Sequence, residues 1–309
     1  MAESDTASGP GMRFVEIIDV GPRDGLQNEP DIVPTDTKLR LIQALVDAGV
    51  TQVQAASFVH PKWVPQMADA EAVSAGLPSA PAVRFSALIP NLKGFERACR
   101  AGYKEVDFVL SASESFNLRN LNSTIAASLQ TLAEVMAAAR EREISVRVDV
   151  STCFHCPFEG RIDAAAVLPI VARVIESGAE RVGLCDTDGM AFPDQVTALI
   201  EALEREGILP VERMILHVHD TYGRGLVNVF AGLTSGIRAF DCSVGGLGGC
   251  PFSPGASGNV ATEDVVALLD GLDYTSGITF DRLLDAASLA QGLSARPYQG
   301  HLLRASGRN

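Results

Sequence analysis

Leu216-His217-Val218-His219-Asp220 follows residues 211–215 and precedes a helical pattern over residues 224–233. It therefore reads as the polar end of a β-strand that feeds a helix, the unit from which parallel α/β folds are built. Side chains two apart on a strand project to one face, so both imidazoles point the same way. From the residues alone two readings stay open: a pair of metal ligands, or two hydrogen-bonded core histidines.

The same unit recurs along the chain. β-rich segments at residues 14–18, 50–55, 83–89, 106–110, 144–150, 181–185, 214–219 and 239–244 each precede a helical pattern, at 34–48, 66–75, 91–100, 123–140, 164–176, 193–205, 224–233 and 262–269. Gly49, Gly102, Gly178, Gly207 and Gly236 stand where helices end before the next strand, as left-handed caps require. Eight strand-helix units predict a (β/α)8 TIM barrel, with a doubly wound open sheet as the rival topology. A further C-terminal helical segment, residues 279–293, is expected outside the barrel. Residues 13–309 read as one domain, because no linker or repeat divides them, and residues 1–12 as a disordered tail.

Composition narrows the function. Apolar residues make up 47% and charged residues 20% of 309, the profile of a globular protein with a sizeable core. No apolar run reaches transmembrane length, so no membrane partner is expected. A net charge of -13 disfavours nucleic acid, although a few cations and backbone amides can still hold the phosphates of a coenzyme A ester. Six dispersed cysteines make no disulfide framework, and the acidic, polar start resembles no targeting segment, so a reducing, cytoplasmic setting is expected.

In a barrel the chemistry collects on the loops after the strands, and polar residues are concentrated there. Strand one runs into Asp19-Val20-Gly21-Pro22-Arg23-Asp24, strand six into Asp186-Thr187-Asp188, and strand eight into a glycine-rich loop from Gly245 to Asn259. Strands one, seven and eight are neighbours in a closed barrel, so Asp24, His217, His219 and a residue of the last loop can meet around a divalent ion. Mixed oxygen and imidazole ligands suit magnesium, manganese or zinc, and a harder octahedral ion if water and substrate oxygens complete the shell. Arg23 is either an ordinary ion pair with Asp24 or a cation placed for a developing oxyanion. Cys250 is either an inert thiol or an acid on a closing loop. Cys153-Phe154-His155-Cys156 contains C-x-x-C without a second copy, and is read as pocket lining rather than a redox or zinc motif.

VGPRDGLQNEP (20–30), ASFVHPKWVPQMADA (56–70), IPNLKGFERA (89–98), HVHDTYGRGL (217–226) and GGLGGCPFSPGASGNVATED (245–264) closely resemble the 3-hydroxy-3-methylglutaryl-CoA (HMG-CoA) lyase family of metal-dependent TIM-barrel lyases. The similarity runs from about residue 14 to residue 293. It implies retro-Claisen cleavage of a 3-hydroxyacyl-CoA, giving acetoacetate and acetyl-CoA when the substrate is HMG-CoA, with Mg2+ or Mn2+ bound. It implies the metal ligands Asp24, His217, His219 and Asn259, with Arg23 stabilising the acetyl-CoA enolate and Cys250 acting on its carbon as acid. Asp186 and Asp19 would support proton removal from the substrate hydroxyl. Gln27, Ser57, Asn120 and Thr187 would contact substrate, and Lys93 coenzyme A. A homo-oligomer is compatible with the sequence.

Four positions depart from the family pattern. Gln54 stands where glutamate is usual, Pro30 where lysine is usual, His155 where glycine is usual and Asp188 where an apolar residue is usual, the last two on loops expected to face the substrate. These departures leave room for a related ester, such as citramalyl-CoA or a longer-branched 3-hydroxyglutaryl-CoA, and Gln54 alone leaves room for a catalytically silent metal- or acyl-CoA-binding homologue. A condensing Claisen synthase is disfavoured by the match of the Cys250 loop to the lyase pattern.

Overall fold

The structure is a computed structural model that describes residues 13–249, 258–294 and 300–307. The expected tail at 1–12 and Cys250 lie outside the described residues. Eight parallel strands close into a barrel: β1 (Glu16–Asp19), β2 (Gln52–Ser57), β3 (Arg84–Ile89), β4 (Glu105–Ser111), β5 (Ser145–Ser151), β6 (Arg181–Asp186), β7 (Met214–Val218) and β8 (Ala239–Cys242). Closure is made by β8 pairing with β1, Ala239 opposite Glu16 and Cys242 opposite Asp19, which rules out the open sheet. The five glycines expected at helix ends all adopt positive φ, from 64° at Gly207 to 102° at Gly178.

The surrounding helices are α1 (Thr35–Ala48), α2 (Ala70–Ala75), α3 (Leu92–Arg100), α4 (Glu114–Leu121), α5 (Ile125–Glu141), α6 (Ala164–Glu176), α7 (Pro193–Arg205), α8 (Gly225–Thr234), α9 (Thr262–Gly271), α10 (Phe280–Gln291) and α11 (His301–Ser306). The helix expected over 66–75 is shorter. Asp69 sits at its start and accepts from Lys38 Nζ at 2.6 Å and Thr35 Oγ1 at 2.7 Å, which ties it to α1. Two helices are additional. In α4, Ser113 Oγ accepts from Phe116 N at 3.1 Å as an N-cap. In α11, the Asp264 carboxylate accepts from His301 N and Leu302 N, each at 2.8 Å. The extra helix α10 lies outside the barrel as expected, against α1, where Arg282 donates to Asp47 O at 2.9 Å.

The barrel lumen is unusual. Such interiors are ordinarily filled by branched aliphatic residues, but here Arg147 on β5 reaches Asp241 on β8 and Gln54 on β2 reaches Asp107 on β4. Neither strand pair is adjacent in the sheet, so both contacts cross the lumen. Gly183 makes room for this layer, since a Cβ there would lie 2.1 Å from Asp149 Oδ1.

Candidate active site and metal centre

The turn after β1 places Arg23 and Asp24. Val20 O accepts from the backbone N–H of Arg23, Asp24 and Gly25 at 3.1, 2.7 and 3.2 Å, winding residues 21–25 into one wide helical turn. A Cβ at Gly25 would lie 2.8 Å from Leu247 Cβ, so glycine lets this turn close onto the segment after β8. His217 lies in β7 and His219 just beyond it. The return of the last loop is laid beside the same strand, with Asp220 N donating to Gly258 O and Val260 N to Val218 O, both at 3.1 Å. That pairing sets Asn259 opposite His219.

Asp24, His217 and His219 are all buried, and one ligand atom from each lies within 4.8 Å of the others. His217 Nε2 and His219 Nε2 are 3.2 Å apart. Asn259 Nδ2 donates to Asp24 Oδ2 at 2.8 Å, while Asn259 Oδ1 is buried without a hydrogen-bond partner among the described residues. Two convergent imidazoles, a carboxylate and an unpaired buried amide oxygen form a donor set that fits a divalent cation. Behind it, Asp241 Oδ2 lies 3.1 Å from His217 Nδ1 and so directs Nε2 towards the site, the outer-shell carboxylate usual at ligating histidines.

Electrostatics follow this arrangement. Burial opposes ionisation of Asp24, but Arg23 and the two histidines outweigh it and hold its carboxyl below the usual range. Burial likewise opposes charge on Asp241, which Arg147 and His217 nevertheless keep well below the usual range. Burial and the neighbouring His217 push His219 down to about 3, leaving it a neutral imidazole. Burial disfavours charge on Arg147, yet the carboxylates of Asp149, Asp241 and Asp107 raise its pKa well above the usual value.

Arg23, Asp24, Gln27, Asn120, Thr187 and the histidine pair line one cavity of about 530 Å³. A hollow of about 640 Å³ opens elsewhere, among Arg84, Glu105 and Arg181. It is the larger of the two, but Glu16 pairs with both arginines there, and the metal-type cluster lies in the other.

The remaining candidate residues divide. Asp19 and Asp186 are wholly buried behind the cavity wall, each pushed up to about 7 by burial. Ser57 is buried at the end of β2, and Lys93 is exposed in the first turn of α3; neither lines the cavity. Two expectations need correction. Cys153 and Cys156 do not line the cavity: Cys153 Sγ donates to Val150 O at 3.0 Å, and Cys156 Sγ lies 3.0 Å from Ser113 Oγ. His155 and Asp188 do not line the cavity but meet each other, His155 Nδ1 lying 2.6 Å from Asp188 Oδ2. Sequence reasoning passed over Asp107, Arg147, Asp149 and Asp241. Their signal was available, since charged residues inside strands contradict the near-continuous apolar runs of a buried parallel sheet.

A closed parallel barrel with a buried Asp-His-His cluster and an arginine beside it defines a metal-assisted TIM-barrel enzyme. The chain belongs to the HMGL-like family, whose model matches residues 14–290. It is 45% identical over 296 residues to the mitochondrial hydroxymethylglutaryl-CoA lyase of Bos taurus, covering 96% of this chain and 90% of that protein. It is also 45% identical over 272 residues to a 3-hydroxy-3-isohexenylglutaryl-CoA/hydroxymethylglutaryl-CoA lyase of Pseudomonas aeruginosa, covering 88% and 90%. A solved HMG-CoA lyase from Acinetobacter baumannii, in complex with coenzyme A and 3-methylmalate, superposes with a TM-score of 0.90 at 39% identity and 96% coverage of both chains.

Proposed function

We propose that this chain is a carbon-carbon lyase that cleaves 3-hydroxy-3-methylglutaryl-CoA to acetoacetate and acetyl-CoA, with Mg2+ or Mn2+ held by Asp24, His217, His219 and Asn259. The observation that carries the reading is the buried Asp-His-His cluster beside Arg23 in one cavity. When bound, the cation supplies Lewis-acid polarisation of the substrate's oxygens.

The chain's own groups account for the other needs of a retro-Claisen cleavage. The tertiary hydroxyl must lose its proton; Asp186 and Asp19, both behind the cavity wall, support that removal without lining the cavity, and Asp186 is the one with an oxygen to spare. Asp186 Oδ2 has no hydrogen-bond partner among the described residues, whereas Asp19 accepts from Gly21 N, Val244 N and Thr262 Oγ1 at 2.9, 3.1 and 2.7 Å. Charge then develops on the thioester oxygen of the departing enolate. Arg23 presents a fixed guanidinium for it, held by Asp24 Oδ1 at 2.6 Å and by Gln54, so little reorganisation is needed as the charge appears. Cys250 is assigned delivery of a proton to the enolate carbon. Gln27, Asn120 and Thr187 orient the acyl group, with Lys93 reserved for coenzyme A and Ser57 supporting the wall.

The test is to follow acetoacetate and acetyl-CoA release from HMG-CoA with magnesium, and to measure bound metal in the wild type, Asp24→Ala and His217→Ala. The expected outcome is turnover by the wild type and lowered metal content in both variants. Absence of cleavage overturns the lyase reading, and full metal retention in both variants overturns the ligand assignment.

A further inference from the structure

Arg23 is gripped on two sides, and the side away from the metal cluster leads into the barrel lumen. Its Nε donates to Gln54 Oε1, and Gln54 Nε2 donates in turn to Asp107 Oδ2. Ser86 Oγ donates to that same Asp107 oxygen at 2.6 Å. Gln54, Ser86 and Asp107 are almost wholly buried, at 0%, 1% and 0% exposure, on the successive strands β2, β3 and β4. The pairing of β2 with β3 slips between Gln54 and Ala56, leaving Ala55 as the extra residue. Bulges of this kind redirect the side chains beside them and recur next to active sites.

The chemistry of the thread is selective. Arg23 is a donor only, and Asp107 Oδ2 is an acceptor for both Gln54 Nε2 and Ser86 Oγ. The residue between them must accept at one end and donate at the other, which a glutamine amide does and a glutamate carboxylate does not. Asp107 therefore fixes which way the Gln54 amide points, and the amide fixes the guanidinium. We propose that Gln54 and Asp107 form a matched pair of positioning residues for Arg23, with the Asp107 acceptor holding the Gln54 amide in the one orientation that leaves its oxygen on Arg23. The proposal rests on the retro-Claisen reading above, in which Arg23 meets the enolate. Restoring the usual glutamate alone sets two carboxyls against each other in a buried lumen and impairs the enzyme.

The experiment is a double-mutant cycle on the full-length metal-loaded protein, comparing wild type, Gln54→Glu, Asp107→Asn and the double variant. Thermal melting and metal content are recorded beside the kinetics. Gln54→Glu is expected to lower kcat by about tenfold or more with KM within about threefold, the pattern of an interaction lost mainly in the transition state. In the double variant the new amide on β4 can donate to the new carboxylate on β2, which still accepts from Arg23, so kcat recovers to within about threefold of wild type. Unchanged kcat in Gln54→Glu, or losses that simply multiply in the double variant, overturns the pair. Gln54→Met serves if the charged variants do not fold, with lowered kcat at preserved KM expected and unchanged kcat overturning the proposal. A wild type that cleaves nothing sinks the lyase reading, whereas a turning-over wild type with a multiplicative cycle sinks this pairing alone.

Discussion

Asp19 and Asp186 are alike on paper: each ends a barrel strand, each is buried, and each is held near 7 by that burial. The use of their oxygens separates them. Three hydrogen bonds make Asp19 a fastener between β1, the turn after β8 and the start of α9. Asp186 spends one oxygen on Ala191 N at 3.1 Å, and its other oxygen has no hydrogen-bond partner among the described residues. Asp186→Asn is therefore expected to cut kcat by about 100-fold, the lower end for a lost proton-transfer group, with melting at about pH 5 unchanged. Asp19→Asn turns an amide N–H towards two donors, which costs about 1–3 kcal/mol and several degrees of Tm. A kcat collapse in Asp19→Asn at unchanged Tm, with Asp186→Asn active, would reverse the assignment. At this scale the cluster of Asp24, His217 and His219 was legible because its residues lie at or soon after strand ends. Asn259 needed the resemblance, since nothing local in the sequence shows that its loop returns beside β7. Asp107 and Asp241 stand out as charges inside strands, but their partners stayed hidden because an aspartate in a strand gives no sign of what it meets across a lumen.

The elements were easier to read than their joins. Alternating strand and helix patterns and positive-φ glycines located the barrel, whereas α4 and α11, of 8 and 6 residues, are too short to establish a strong period. Where loops meet, covariation of chemistry matters more than periodicity. His155 and Asp188, read separately as departures on loops expected to face the substrate, are hydrogen-bonded to each other and join the connections after β5 and β6. Thr152 N donates to Thr187 Oγ1 at 2.8 Å beside it, so the two loops are stitched twice around a residue of the cavity wall. Disrupting the clamp should loosen Thr187 and weaken substrate binding more than chemistry. His155→Ala and Asp188→Asn are each expected to raise KM by about three- to tenfold with kcat largely kept, and the double variant to be no worse than either single. Steady-state kinetics with HMG-CoA read this directly, and multiplicative KM effects would show that the two residues act separately.

Across the whole molecule, buried carboxyls link folding to pH in two opposite senses. Asp24 and Asp241 have depressed pKa values, so they add stability above the ordinary carboxylate range that is lost as pH falls through their folded values. Asp19, Asp186 and Glu263 are raised, the first two to about 7 and Glu263 to about 8, mainly by burial. Between the ordinary carboxylate range and these values the folded state holds protons that the unfolded chain has released. The stability these three contribute is complete below the unfolded pKa and is lost as pH rises through about 7 and 8. Glu263 sits at a junction of parts: Gly245 N donates to its Oε2 at 3.0 Å, and a Cβ at Gly300 would lie 2.0 Å from its Oε1. Its ionisation therefore places a buried charge at the contact between the turn after β8 and Gly300 at the start of α11. Glu263→Gln keeps an acceptor for Gly245 N and removes the titration, so its Tm advantage over wild type should widen by about 2 °C or more between pH 5 and pH 8.5. Melting curves across that range decide the point, because a difference that does not grow with pH would show that Glu263 does not hold a proton in the folded protein.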